Sequence, residues 1–406
     1  MTSPTTGGAR LRDIFRALAP GIITAALVFG PSKVTIATKI GAEYGFTLLW
    51  VVVVAIFFMM VFTSMAARIG IATRHSILET MRQKWGKKTS VAMGVGVFLV
   101  TASFQAGNSI GLGIALGELT HTRPPAWIVG FNMLAMALLF FRSFYKVLER
   151  LMLVLICLML LAFLATLFLA RPSIPGVVGG LLPSVPGGTL PLITAFIASC
   201  FSIVAAFYQS YLIQERRRLS PAGAVIKDKS FAGIFILGLI TMIVMICAAA
   251  VLHTKGIKVN NATDMARALE PIFGDYASVL FLCGLFGASF SALVGNSTLG
   301  GTVLADALGY GSALHARANR ILIALIMLAG AVVAIVFGKM PLQLIVFAQS
   351  VTILIVPFIG IAMFAIANDR KIMGEMVNTT AVKIAGWAGL LLIAGLAIYQ
   401  FKILSS

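Results

Sequence analysis

LVFGPSKVTI, residues 27–36, interrupts an apolar run from residue 17 to residue 42 that is otherwise long enough to cross a bilayer. Gly30 adds backbone freedom, and Pro31 lacks a donor and clashes with the preceding turn, so the pair breaks a helix. Broken backbone at membrane depth is tolerated only where protein buries it or a cavity borders it. Lys33 sits at this break. A charge at bilayer depth costs roughly 2.5–3.5 kcal/mol even on insertion scales, so it needs a partner or a job. Snorkelling to an interface works near helix ends, and this lysine is in the middle of its segment.

The rest of the chain shares this character. Of 406 residues, 60% are hydrophobic and 11% charged. Soluble domains run near 45–50% and 25%. Apolar stretches of spanning length recur at 17–42, 46–69, 90–116, 126–141, 147–170, 190–214, 231–253, 276–308, 319–338, 342–367 and 382–401. The expected fold is an all-α, multi-pass membrane protein of the cell membrane with eleven transmembrane helices. Residues 1–16 form a polar, basic tail, and residues 17–406 a single transmembrane domain. The tail is followed by no cleavage signature, so the first helix is expected to be retained.

The formal charge is +18. With the N-terminus placed in the cytoplasm, 22 of the 31 Lys and Arg residues fall on the inner side and 7 on the outer, with Lys33 and Lys39 inside the first segment. That asymmetry fixes a cytoplasmic N-terminus. It accounts for the basic balance through an anionic lipid leaflet rather than nucleic acid. The acids and the four histidines (His75, His121, His253 and His315) lie in loops or near helix ends. The four cysteines lack metal-ligand spacing and read as small core residues. GLGIALGEL, residues 111–119, follows no strand, so its glycines read as helix packing rather than a nucleotide loop. No catalytic constellation, resident metal site or cofactor site is legible.

APGIITAALVFGPSKVTIATKIGAEYGFTLLW, residues 19–50, resembles the first helix of the NRAMP family of proton-coupled divalent-metal transporters. GLFGASFSALVGNSTLGGTVLADALGY, residues 284–310, resembles its eighth helix. FAQSVTILIVPFIGIAMFAIANDRKIMGEMVN, residues 347–378, resembles its tenth helix and the following loop, including the glutamine at Gln349. The resemblance implies a leucine-transporter-type fold. Helices 1–5 and 6–10 form inverted repeats, helices 1 and 6 are broken at the midplane, and an eleventh helix follows. No Gly or Pro in residues 200–214 marks a break in helix 6, so that feature rests on the resemblance alone. The family's metal-binding Asp and Asn of the first helix fall at Gly30 and Lys33, and its sixth-helix Met-Pro-His run falls at Ala206-Phe207-Tyr208. A further sixth-helix histidine falls at Ile213, and the third-helix Asp and Glu fall at Gln105 and Asn108.

Removing a carboxylate and a thioether while adding an ammonium inverts the sign of the site. A divalent cation about 4 Å from a lysine is opposed by roughly 8 kcal/mol at an effective dielectric of 20. The N-terminus of the half-helix after Pro31 offers free N–H groups and a positive dipole end. The sequence-level expectation is therefore a secondary transporter of a small anion, such as bicarbonate or a small carboxylate. Substrate contacts are expected from Gly30, Ser32, Lys33, Gln105, Asn108, Ala206, Tyr208, Gln209 and Gln349, with no metal site. Two alternatives stay open: a carrier of a neutral or zwitterionic metabolite with Lys33 replacing a bound cation, and a non-transporting sensor or assembly partner. Expected partners are the substrate and membrane lipid; the coupling ion is not legible. Lys39, four residues before Glu43, reads as an outer-vestibule residue or half of a surface pair.

Overall fold

The computed structural model describes residues 30–73, 75–139, 142–219, 230–312, 316–337 and 341–405. The expected tail and the first part of the first span lie outside them. The described residues form helices and connecting turns, with no strand among them. In chain order the principal helices are α1 (Pro31–Tyr44), α2 (Leu49–Ala72), α3 (Ile77–Trp85), α4 (Lys87–Thr120) and α5 (Pro124–Leu138). Then come α6 (Arg142–Ala170), α7 (Leu190–Phe201), α8 (Ile203–Leu219) and α9 (Ser230–Ala248). The last are α10 (Ala277–Leu308), α11 (Arg317–Val336), α12 (Pro341–Thr352), α13 (Val356–Ala367) and α14 (Thr380–Ser405). Nine spans among the described residues are long and apolar enough to cross a membrane. The expected fourth span, Pro124–Leu138, is shorter than these, and the first is described only from residue 30.

Helix 6 is broken. α7 and α8 meet at Ser202, which adopts the left-handed region with φ 44° and ψ 52°. An L-residue pays roughly 1–2 kcal/mol there, so the surroundings must impose the conformation. They do so through Phe201. Its ring stacks on Phe58 at 5.7 Å and meets Phe62 edge-on at 5.1 Å, both on α2. Each such pair is worth about 0.5–1.5 kcal/mol beyond area burial, enough together to hold the bend. A second interruption, which the sequence reading did not anticipate, separates α12 from α13. Ile353, Leu354 and Ile355 bond three residues back, and Pro357 then starts α13.

Helices approach closely where glycine allows it. α10 packs against α4 and α11 through Gly300 and Gly301. A Cβ on Gly301 would sit 2.7 Å from the Ile323 backbone nitrogen. Small residues at crossings and polar side chains between helices are how membrane bundles cohere when lipid offers no hydrophobic contrast. Examples here are Ser103 Oγ donating to the Ala348 carbonyl and Asn132 Nδ2 donating to Ser109 Oγ.

The two sides of the bundle are held differently. On the outer side α1 is buried over nearly its whole length. His253 Nδ1 lies 2.9 Å from the Ala42 carbonyl at its end, and Lys39 pairs with Glu43 at 3.4 Å. The α6–α7 connection is pinned to the start of α2. Trp50 donates from its backbone N to the Gly180 carbonyl at 2.9 Å and from Nε1 to the Ser184 carbonyl at 3.0 Å. On the cytoplasmic rim Lys84 donates to Asp369. That contact, followed by the Lys371 backbone N–H, holds the Asp369 carboxyl below the usual carboxylate range. The four cysteines are free thiols; Cys200 and Cys247 are core residues as expected, whereas Cys157 and Cys283 are only half-buried.

Two substitutions test these features. Gly301→Ala should cost about 1–3 kcal/mol by overpacking α10 against α11. The drop is read as a lower melting temperature in detergent, against Gly295→Ala as the control, where a Cβ meets nothing within 4 Å. Equal melting temperatures would contradict the close crossing. Ser202→Gly should hold or raise the melting temperature, because glycine adopts the left-handed region at no steric cost. Ser202→Val should lower it, and a loss as large with Gly as with Val would contradict the strained break.

Candidate substrate cavity

The start of one helix and the end of another face the same region of the bundle. α1 starts at Pro31 behind an extended Gly30, so its first-turn N–H groups and positive dipole end face the centre. α7 stops at Phe201, so its last-turn carbonyls and negative end face the same region. Between them lies a cavity of about 320 Å³. Gly30, Ser32 and Lys33 of the α1 start line it. Asn108 of α4, Tyr208 and Gln209 of α8 and Gln349 of α12 also reach it. These are seven of the nine residues that the sequence reading singled out. The other two lie elsewhere. Ala206 is fully buried in the apolar core, and Gln105 sits behind Asn108, packed against Gly330 of α11.

Sequence reasoning passed over Met59 and Thr63 of α2, Ser199 and Ser202 at the α7–α8 break, and Asn296 of α10, all of which line the cavity. An uncommon Asn inside the apolar stretch 276–308 was the available signal for Asn296. Ser199 and Ser202 become visible only once the break is known. Met59 and Thr63 lie in a run so apolar that no face stands out.

The polar groups of the cavity form a partly satisfied set. Gln349 Nε2 donates to Ser32 Oγ at 2.8 Å, tying α12 to the first turn of α1. That leaves Gln349 Oε1, buried and without a hydrogen-bond partner among the described residues. Asn108 Nδ2 donates to Gln105 Oε1 at 3.3 Å, which leaves Asn108 Oδ1 turned toward Gly30, 3.7 Å from where a Cβ would stand. Thr63 Oγ1 is likewise buried without a hydrogen-bond partner among the described residues. Lys33 is 7% exposed and is the one charged side chain among the described lining residues. No cluster of three or more His, Cys, Asp or Glu residues is found among the described residues. Lys39 does not line the cavity; its partner is Glu43.

The cavity extends from this centre toward the cytoplasmic ends of the helices. Leu212 of α8, Ser230 and Ile234 of α9 and Leu299 of α10 belong to its wall. Beyond Lys33, no residue of α1 belongs to its wall, and the body of that helix is buried in the bundle.

Comparison with known proteins shows what the chain is similar to. A divalent metal cation transporter, MntH, of Deinococcus radiodurans is 26% identical over 402 residues, covering 94% of this chain and 88% of the relative. The divalent metal cation transporter MntH of Bacillus subtilis is 24% identical, covering 96% and 92%. Among solved structures, a manganese transporter of Eremococcus coleocola superposes with a TM-score of 0.71 at 18% identity, covering 98% of this chain and 88% of that one. It shares the fold. These relatives overturn the expectation of an anion carrier for bicarbonate or a small carboxylate. That expectation let the charge of one side chain, Lys33, decide the cargo over the amides of Asn108 and Gln349, and the carbonyl end of α7 was not visible in the sequence. Residues 21–401 match the family described as natural resistance-associated macrophage protein-like, and the chain is a multi-pass membrane protein belonging to that family.

Proposed function

We propose that this chain is an alternating-access carrier whose cargo is a divalent metal cation held by neutral oxygens and retained water. The observation that carries the reading is Gln349 Oε1, a buried acceptor on the cavity wall without a hydrogen-bond partner among the described residues. Acceptors left open in a low-dielectric site are costly unless a cation or a donor meets them. Asn108 Oδ1, the hydroxyls of Ser199, Ser202 and Thr63, and the carbonyl end of α7 surround the same space. Carbonyl, amide and hydroxyl oxygens suit hard cations such as magnesium, calcium and manganese. Met59 is the one thioether among the described lining residues.

Lys33 sets the conditions. A bare dication against its ammonium would meet the repulsion of roughly 8 kcal/mol at 4 Å. A cation that keeps its first water shell stays farther away and is better screened. Six waters at about 30 Å³ each occupy about 180 Å³, which fits within the cavity. The reading therefore gives weak binding of a hydrated ion, with Lys33 limiting how deeply the ion is dehydrated.

Uptake into proteoliposomes is the test, with manganese, magnesium and calcium offered in turn. Saturable flux of at least one of them is expected, and saturable flux of none would end the reading. Lys33→Met keeps the stem and removes the charge. It should tighten cation binding at least tenfold by calorimetry, since every 1.4 kcal/mol of relieved repulsion is a factor of ten. Unchanged affinity would mean that the ion does not pass Lys33.

A further inference from the structure

A line of three side chains runs from the cavity to the cytoplasmic rim. Tyr208 of α8 borders the cavity, and its ring stacks on Tyr211 at 5.8 Å with the planes 18° apart. Tyr211 is buried, and its hydroxyl donates to Asp306 Oδ2 at 2.7 Å. The same oxygen accepts from Ser76 Oγ at 2.5 Å, in the turn before α3.

Asp306 stands in the last turn of α10, where a carboxylate faces the negative end of its own helix. Such a placement is unfavourable unless donors offset it. Two hydroxyls reach the carboxylate. The guanidinium of Arg82 donates to the Asp306 and Ala307 carbonyls at 3.2 and 3.1 Å, placing positive charge at the same helix end. Glu79 completes the junction by pairing with Arg82 at 3.2 Å.

The helices that meet here differ in freedom. α8 begins at the Ser202 break and can pivot there, whereas α10 runs unbroken from Ala277 to Leu308. The end of α8 is fastened to α2: Arg217 Nη1 donates to the Thr73 carbonyl at 3.0 Å, and Nη2 donates to the Ile71 carbonyl at 2.5 Å. The segment after α2 is bonded to both helices, to α8 through Arg217 and to α10 through Ser76 and Arg82, and Tyr211 joins α8 to α10 directly. The Tyr211–Asp306 bond crosses between them, and it is formed in a structure whose cavity extends toward the cytoplasm.

We propose that Asp306 and Tyr211 form a cytoplasmic latch that stabilises this inward-reaching arrangement and positions Tyr208 at the cavity wall. The latch is independent of which cargo the cavity carries. When α8 pivots to close the cytoplasmic side, the Tyr211 hydroxyl must leave Asp306.

The test reads side-specific accessibility and needs no substrate. Asn296→Cys places a thiol on the cavity wall of α10, and a membrane-impermeant maleimide labels it in inside-out and right-side-out vesicles. The protein with native cysteines alone supplies the background. A hydrogen bond to a charged group corresponds to about ten- to a hundredfold in an equilibrium. Tyr211→Phe, which keeps the ring stack, should slow cytoplasmic labelling by about tenfold and raise labelling from outside. Asp306→Ala should do the same, and the double variant should add little to either single one, as for two groups in one bond. Asp306→Asn keeps the side-chain volume, serves as a second variant if Asp306→Ala does not fold, and should fall between wild type and Tyr211→Phe. Unchanged cytoplasmic labelling, equal slowing on both sides, or effects that multiply in the double variant would each overturn the latch.

Discussion

A backbone amide in hydrocarbon has no water to turn to, and that constraint organises the molecule. Helices satisfy it segment by segment, so any interruption must be surrounded by protein or open onto a polar space. The start of α1 at Gly30-Pro31 and the break at Ser202 both open onto the central cavity. The second interruption, at residues 353–355, follows Gln349 by one turn. The polar space of the cavity and the irregular backbone therefore require one another. Helix ends supply partial charges and side-chain amides complete the wall.

The surrounding bundle gives these breaks a rigid frame. α4 and α10 cross closely at Gly300, and α10 meets α11 at Gly301. Such contacts leave little room for sliding, because a methyl group would collide with the Thr101 side chain at Gly300 and with the Ile323 backbone at Gly301. α1 and α8 are shorter than these helices and bring Ser32, Lys33, Tyr208 and Gln209 to the cavity wall.

Much of this was legible in the sequence. The first break was readable because Gly and Pro announce it chemically, and the spans were readable because hydrocarbon demands long apolar runs. The break at Ser202 was not readable from local residues. Serine carries no such preference, and the bend is imposed by Phe201 packing between Phe58 and Phe62, a tertiary cause. The candidate residues near the α1 start were found because they flank the visible break. Gln105 and Ala206 were placed by correspondence with the family, but helical rotation turns Ala206 into the core and Gln105 toward Gly330. Charge reading misled about the cargo because it counted side chains and could not see the carbonyl end of α7.

The strap between α6 and α7 joins the last helix of the first repeat to the first helix of the second. Trp50 fixes it by two hydrogen bonds to the start of α2. A Cβ on Gly180 would lie 2.0 Å from the Phe46 carbonyl oxygen, so the strap lies flush against the α1–α2 turn. The strap therefore acts as a tie-rod: the α1–α2 corner and the lead-in to α7 are held at a fixed separation by one loop, and loosening Trp50 would free both at once.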